Sequence, residues 1–120
     1  MSHDIRANLT DLLDGLATGR LLEVFDKYYD DNVVMSENGA EDPARIGKAA
    51  NRGYEAYFVA NSEWFGARIG NIAVDTVNNT SSYEMWMDLA FQGNRMQRTQ
   101  SAVQTWKDGK IIKETFYYKA

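Results

Sequence analysis

The chain has 120 residues, 44% of them apolar and 25% charged, the proportions of an ordinary globular protein rather than of a disordered or fibrous one. At that length one domain spanning residues 1–120 is expected, burying roughly two-thirds of the surface its unfolded chain exposes. A formal net charge of −4 sets the molecule against phosphate backbones and anionic bilayers, so neither nucleic acid nor a membrane is expected as a partner.

The absence of cysteine removes disulfides, thiolate nucleophiles and thiolate metal sites together. The single histidine, His3, stands in an N-terminal tail, so neither a histidine general base nor a metal site is expected, and no cofactor is implied. No run approaches about 18 apolar residues, and acids interrupt the leucines of the first thirty positions. Neither a membrane span nor a secretory signal is therefore expected, and the default compartment is the cytoplasm. Arg95 and Arg98, close together on one predicted strand, read as a solvated face.

Residues 4–17 carry Ile5, Leu9, Leu12, Leu13 and Leu16 at helical spacing, with Ser2 or Asp4 as N-cap. After the break at Ala17-Thr18-Gly19 a second helix is predicted from Arg20 to Tyr29, capped by Thr18, with Leu21, Leu22, Phe25 and Tyr28 or Tyr29 on its apolar side. Asp30-Asp31-Asn32 ends it, Val33-Val34-Met35 reads as a short strand, and residues 37–43 as a loop. A third helix follows over residues 46–60, its buried stripe predicted as Ala49, Ala50, Tyr54, Tyr57 and Phe58. Gly47 and Gly53 weaken it by about 1 kcal/mol each if they lie in its interior.

Beyond Asn61 the pattern changes to strands: Trp64–Val77, Ser81–Gln92, Arg95–Lys107 and Lys110–Lys119. Turns fall at Asn78-Asn79, Gly93-Asn94 and Asp108-Gly109, the last being the strongest hairpin signal because Gly accepts φ > 0. Helices first and a long antiparallel meander afterwards argue α+β, with the helices on one face of the sheet. Strands this long twist and curl. Three helices on the concave side of such a sheet leave a pocket at its open end.

Phe25-Asp26-Lys27-Tyr28-Tyr29-Asp30-Asp31-Asn32-Val33-Val34 resembles the helix-to-strand signature of the SnoaL-like branch of nuclear transport factor 2-like proteins. Ile46-Gly47-Lys48-Ala49-Ala50 is similar to that family's glycine opening the third helix. Trp106-Lys107-Asp108-Gly109-Lys110-Ile111-Ile112, followed by Phe116-Tyr117-Tyr118, resembles its terminal hairpin. The resemblance spans the whole chain in the right order. It implies a cone-shaped α+β barrel, with three helices packed in the concave face of a curved, mainly antiparallel sheet. It also implies a homodimer formed through the sheet and a mostly apolar pocket. Ketosteroid isomerases, polyketide cyclases, scytalone dehydratase-like lyases and pocketed proteins without known chemistry share that fold, so it implies a pocket more strongly than a reaction.

Laid on this chain, the isomerase pattern puts its general base on Ser36, its oxyanion tyrosine near Leu12 and its protonated aspartate near Ala102. None of the three retains the functional group, although a shift of one residue brings Glu37 to the base position. The cyclases of the family use a pocket acid, often beside a histidine; with only His3 available, a carboxylate-centred version is what this chain can offer.

Strand parity selects the acids. If Trp106 points inward, so do Gln104, Ala102, Gln100 and Arg98, and on the last strand Glu114, Phe116 and Tyr118. On the strand from Ser81, either Glu84, Trp86 and Asp88 or Met85, Met87, Leu89 and Phe91 face the interior; the second set is the more apolar. Glu114, flanked by Ile112 and Phe116, is the leading catalytic candidate, because desolvation would raise its pKa. Pairing with Arg98 or Gln100, or exposure to solvent, is the alternative. Asp88, next but one to Trp86, is the second candidate, a strand-face charge being its plainer reading. Gln100, Gln104, Trp106, Phe116, Tyr118, Tyr54 and Phe58 are the predicted pocket residues, and inward glutamines require a hydrogen-bonding partner, whether a ligand, buried water or Glu114.

Three functions are compatible with these residues. One is a small-molecule lyase, isomerase or cyclase working through a pocket carboxylate. Another is a non-catalytic dimeric receptor for an apolar metabolite. The third is a protein-interaction module on the outer sheet face, where Thr99, Ser101, Val103 and Thr105 make a strip suited to self-association.

Overall fold

The computed structural model describes residues 4–39 and 44–119. Its elements are α1 (Ile5–Ala17), α2 (Leu21–Tyr28), β1 (Tyr29–Glu37), β2 (Arg45–Ile46), α3 (Lys48–Ala60), β3 (Ser62–Asp75), β4 (Thr80–Phe91), β5 (Asn94–Lys107) and β6 (Lys110–Tyr117). Ser2, His3 and the 40–43 part of the predicted loop lie outside the described residues. The strands form one six-stranded sheet in the order β2-β1-β6-β5-β4-β3. β1 and β6 run parallel and every other neighbouring pair is antiparallel. Three helices on a curved, mostly antiparallel sheet make this the α+β fold the sequence predicts. No helix among the described residues is long and apolar enough to cross a membrane.

Asp4 caps α1, its Oδ1 accepting the Ala7 N–H at 3.2 Å, and Leu9, Leu12 and Leu13 are buried as their spacing predicts. Thr18 does not cap α2. Its hydroxyl turns back to the Asp14 carbonyl at 2.7 Å and so closes α1, while α2 starts after Arg20 without a side-chain cap. The two helices touch closely at Gly15, where an added Cβ would stand 2.3 Å from Val24 Cγ1.

Three further expectations change. β1 is nine residues long rather than three: it pairs with β6 at Tyr29 and again from Val34 on, and the register shifts across Asp30-Asp31-Asn32, where the Asn32 N–H donates to Asp30 Oδ2 at 2.9 Å. α3 begins at Lys48 after Gly47, whose φ of 97° few other residues adopt. Of the stripe predicted for α3 only Phe58 packs against the core; Ala49, Ala50, Tyr54 and Tyr57 are exposed, and the helix's one fully buried residue is Asn51. Asn51 replaces apolar packing with hydrogen bonds, donating to the Arg45 and Gly47 carbonyls at 3.1 and 2.8 Å and accepting from Arg45 Nε at 3.1 Å.

On β6 the pairing slips between Thr105 and Trp106, so Ile111 opposes Trp106 and Lys113 opposes Thr105, leaving Ile112 as the extra residue. Ile111, not Ile112, therefore joins Glu114 in the interior. Two-residue turns with both φ positive join β4 to β5 at Gln92-Gly93 and β5 to β6 at Asp108-Gly109.

Candidate functional site

Between the helices and the inward face of the sheet lies a cavity of about 420 Å³. Leu12 and Leu16 of α1, Phe25 of α2, Phe58 of α3, and Met85 and Met87 of β4 supply apolar wall. Three charged side chains enter the lining, Glu37, Glu55 and Arg98, together with Tyr29 and Gln100.

Tyr29 is the first residue of β1, at the point where α2 gives way to the sheet. Its ring stacks on Phe25 with centroids 4.4 Å apart, which fixes the direction of the phenol. The hydroxyl bonds to Glu114 Oε1 in the fully buried interior. Behind Glu114 the chain of partners continues. Gln104 Nε2 donates to Glu114 Oε2 at 2.6 Å, Ser81 Oγ donates to Gln104 Oε1 at 2.7 Å, and Trp106 Nε1 donates to Ser81 Oγ at 2.8 Å.

Indole N–H can only donate, so the Ser81 proton is directed to Gln104, and Gln104 must present its amide N–H to Glu114 Oε2. When Glu114 is protonated, its proton consequently sits on Oε1, facing Tyr29. Burial pushes the Glu114 carboxyl up to about 7, the Tyr29 and Gln104 hydrogen bonds partly opposing it. Tyr29 itself is raised well above its ordinary value by burial and by the Glu114 charge, and stays a neutral phenol.

Glu55 projects from α3, half-buried, in the cavity lining. Burial, then the charge of Glu114, raises it to about 7. It makes no ion pair or hydrogen bond with any described residue. Glu37, by contrast, is neutralised: Arg45 Nη1 stands 2.7 Å from its Oε2, and the same guanidinium lies 4.0 Å over the Tyr54 ring.

Of the predicted pocket residues, Gln100, Phe116, Tyr118, Tyr54 and Phe58 line the cavity; Gln104 and Trp106 are buried behind it in the chain to Glu114. Glu114 is not in the lining and meets the cavity through Tyr29. Asp88 is on the other face of β4 from Met87, outside the lining. Arg95 and Gln97 bond to it, and the Arg95 guanidinium holds it below the usual carboxylate range. This is its plainer reading, and it leaves Asp88 out of the site. Ser36 faces Thr115, with 3.3 Å between hydroxyls, while its neighbour Glu37 and also Leu12 are in the lining and Ala102 is core.

Sequence reasoning missed Tyr29 as a site residue and Glu55 altogether. The signal for Glu55 was its spacing: Asn51, Glu55 and Phe58 share one helical face, four and then three residues apart. Among the described residues no group of three or more His, Cys, Asp or Glu is placed to hold a metal ion.

No family model matches the sequence, and no curated protein matches it either. Solved structures do. A Mesorhizobium loti protein provisionally named a SnoaL-like polyketide cyclase and carbohydrate phosphatase superposes with a TM-score of 0.84 at 25% identity, covering 98% of this chain and 100% of that one. A Pseudomonas putida protein provisionally named a polyketide cyclase gives 0.78 at 12% identity over 98% and 93%. An LEH-like epoxide hydrolase from M. tuberculosis gives 0.76 at 16% over 96% and 82%. Fold, element order and these likenesses agree: the chain belongs to the SnoaL-like, nuclear transport factor 2-like superfamily.

Proposed function

We propose that the protein is a small-molecule enzyme of lyase, isomerase or cyclase type that binds a partly apolar substrate in the cavity and moves protons with Glu55, Tyr29 and Glu114. The observation that carries this reading is the pairing of two carboxyls raised to about 7 around one apolar cavity. A general base and a general acid work best when their pKa values lie near the working pH.

The roles follow from geometry. Glu55, unpaired and in the lining, is the base that takes a proton from a carbon next to a carbonyl. Protonated Glu114 donates to the Tyr29 oxygen through Oε1. That frees the Tyr29 proton to turn into the cavity and bond the oxygen on which negative charge develops. An ionised Glu114 would instead hold the Tyr29 proton for itself. The neighbouring polyketide cyclases and the epoxide hydrolase-like protein support pocket chemistry in this fold without naming a substrate.

The reading extends to one cytoplasmic domain acting as a homodimer through the outer sheet face, where Val103 and Tyr117 are exposed. Solvent-deuterium incorporation into a panel of enolisable ketones and thioesters, followed by NMR, tests the chemistry. Incorporation by the wild type that falls by at least about 100-fold in Glu55→Gln is expected. No incorporation across the panel would leave a non-catalytic receptor, and wild-type rates in Glu55→Gln and Tyr29→Phe would remove these two residues from the chemistry.

A further inference from the structure

Arg98 and Gln100 stand two residues apart on β5, on the same inward face, opposite Met87 and Met85 of β4. Both line the cavity, and neither makes a hydrogen bond or ion pair with any described residue. The guanidinium of Arg98 lies 4.0 Å over the Tyr118 ring, which orients its fork while leaving its N–H groups unused. The contrast with the rest of the site is informative. Arg45 has Glu37, and Gln104 has Glu114 and Ser81, but Arg98 and Gln100 have no acceptor among the described residues. Nor is Arg98 among the charges that act on Glu55 or Glu114.

A planar cation and an amide donor, side by side on an apolar wall, match the two oxygens of a carboxylate. We propose that Arg98 and Gln100 form an anion subsite and that the substrate class is an organic acid. Its carboxylate is held on β5 and its apolar body lies against the methionines, Phe58 and Phe116. This inference rests on the cavity being a small-molecule site, and it adds what that reading lacks, the charge of the ligand. With Glu55 unpaired among the described residues in the same lining, an anion without this anchor would be repelled, so the subsite decides specificity as well as affinity.

The test uses two probes of one shape, 2-naphthoate and its neutral amide 2-naphthamide, titrated by calorimetry at neutral pH into the full-length protein. The wild type is expected to bind naphthoate at least about tenfold tighter than naphthamide. Arg98→Met is expected to erase that preference while still binding naphthamide, and Arg98→Lys to keep part of it. Gln100→Leu is expected to weaken naphthoate more than naphthamide. Naphthamide binding as well as naphthoate to the wild type would overturn the anion subsite while leaving the cavity a binding site. So would an undiminished preference for naphthoate in Arg98→Met. Binding of neither probe would overturn both the subsite and the cavity reading. Melting curves of both Arg98 variants matching the wild type show that the comparison is between folded proteins.

Discussion

A glutamate with no exposed surface, bonded on one oxygen by a glutamine and on the other by a tyrosine, is a group that folding prefers neutral. Its folded pKa, about 7, lies above the ordinary 4.5. The native state therefore binds a proton between those values that the unfolded chain has lost, and stability must fall as pH rises through that window. Its contribution is intact below about 4.5 and lost by about 7. Replacing Glu114 with Gln keeps the hydrogen-bonding shape and removes the titration. Denaturant melts at a series of pH values should show a loss between pH 4.5 and 7 to which Glu114 contributes on the order of 2–3 kcal/mol, Glu55 adding its own share in the same window. Glu114→Gln should show a shallower slope and greater stability at neutral pH. Parallel curves would mean that Glu114 titrates normally. The sequence carried part of this: alternation along β5 and β6 placed Gln104, Trp106 and Glu114 on the interior side. A glutamine partner for Glu114 was within reach of that parity and Gln104 supplies it, but the second partner, Tyr29, was not legible, because it reaches Glu114 from 85 positions away.

At the scale of elements, two glycines make opposite predictions. Gly15 sits where α1 meets α2, and a methyl group there would overlap Val24, which is itself buried. Gly15→Ala should lower stability by about 1–3 kcal/mol despite its better helix propensity. Gly53 is in the interior of α3 with nothing within 4 Å of an added Cβ. Gly53→Ala should raise stability by about 0.5–1 kcal/mol, readable as a higher melting temperature. The hairpins were legible because turn chemistry is local: Asp108-Gly109 closes where its dipeptide indicates. The length of β1 and the face of α3 were not, because both depend on distant pairing. β1 extends past Asp30-Asp31-Asn32 because its pairing with β6 resumes on either side of them, and α3 seats itself by the hydrogen bonds of Asn51 together with Phe58, which stacks on Phe91.

For the molecule as a whole, the three helices and the four long strands after Asn61 were readable from their periods, while β2 and the full length of β1, both before Asn61, were not. The homodimer through the sheet predicts that Val103→Glu, which puts a charge on the outer face of β5, gives a monomer by sedimentation with the fold retained. A wild-type monomer would remove that assembly. The functional face was half legible. Parity found the sheet side of the cavity, with Gln100, Phe116 and Tyr118, but the helix side needed the packing of α3 to reveal Glu55.

The pair of near-neutral carboxyls is what separates a proton-moving site from a plain apolar receptor. Carbon-13 NMR titration of the glutamate side-chain carboxyls, assigned with Glu55→Gln and Glu114→Gln, tests it directly. Two carboxyls with midpoints near 7 are predicted, and Glu55 should fall in Glu114→Gln, because the charge of Glu114 is part of what raises it. Both titrating near 4.5, like exposed glutamates, would contradict the site.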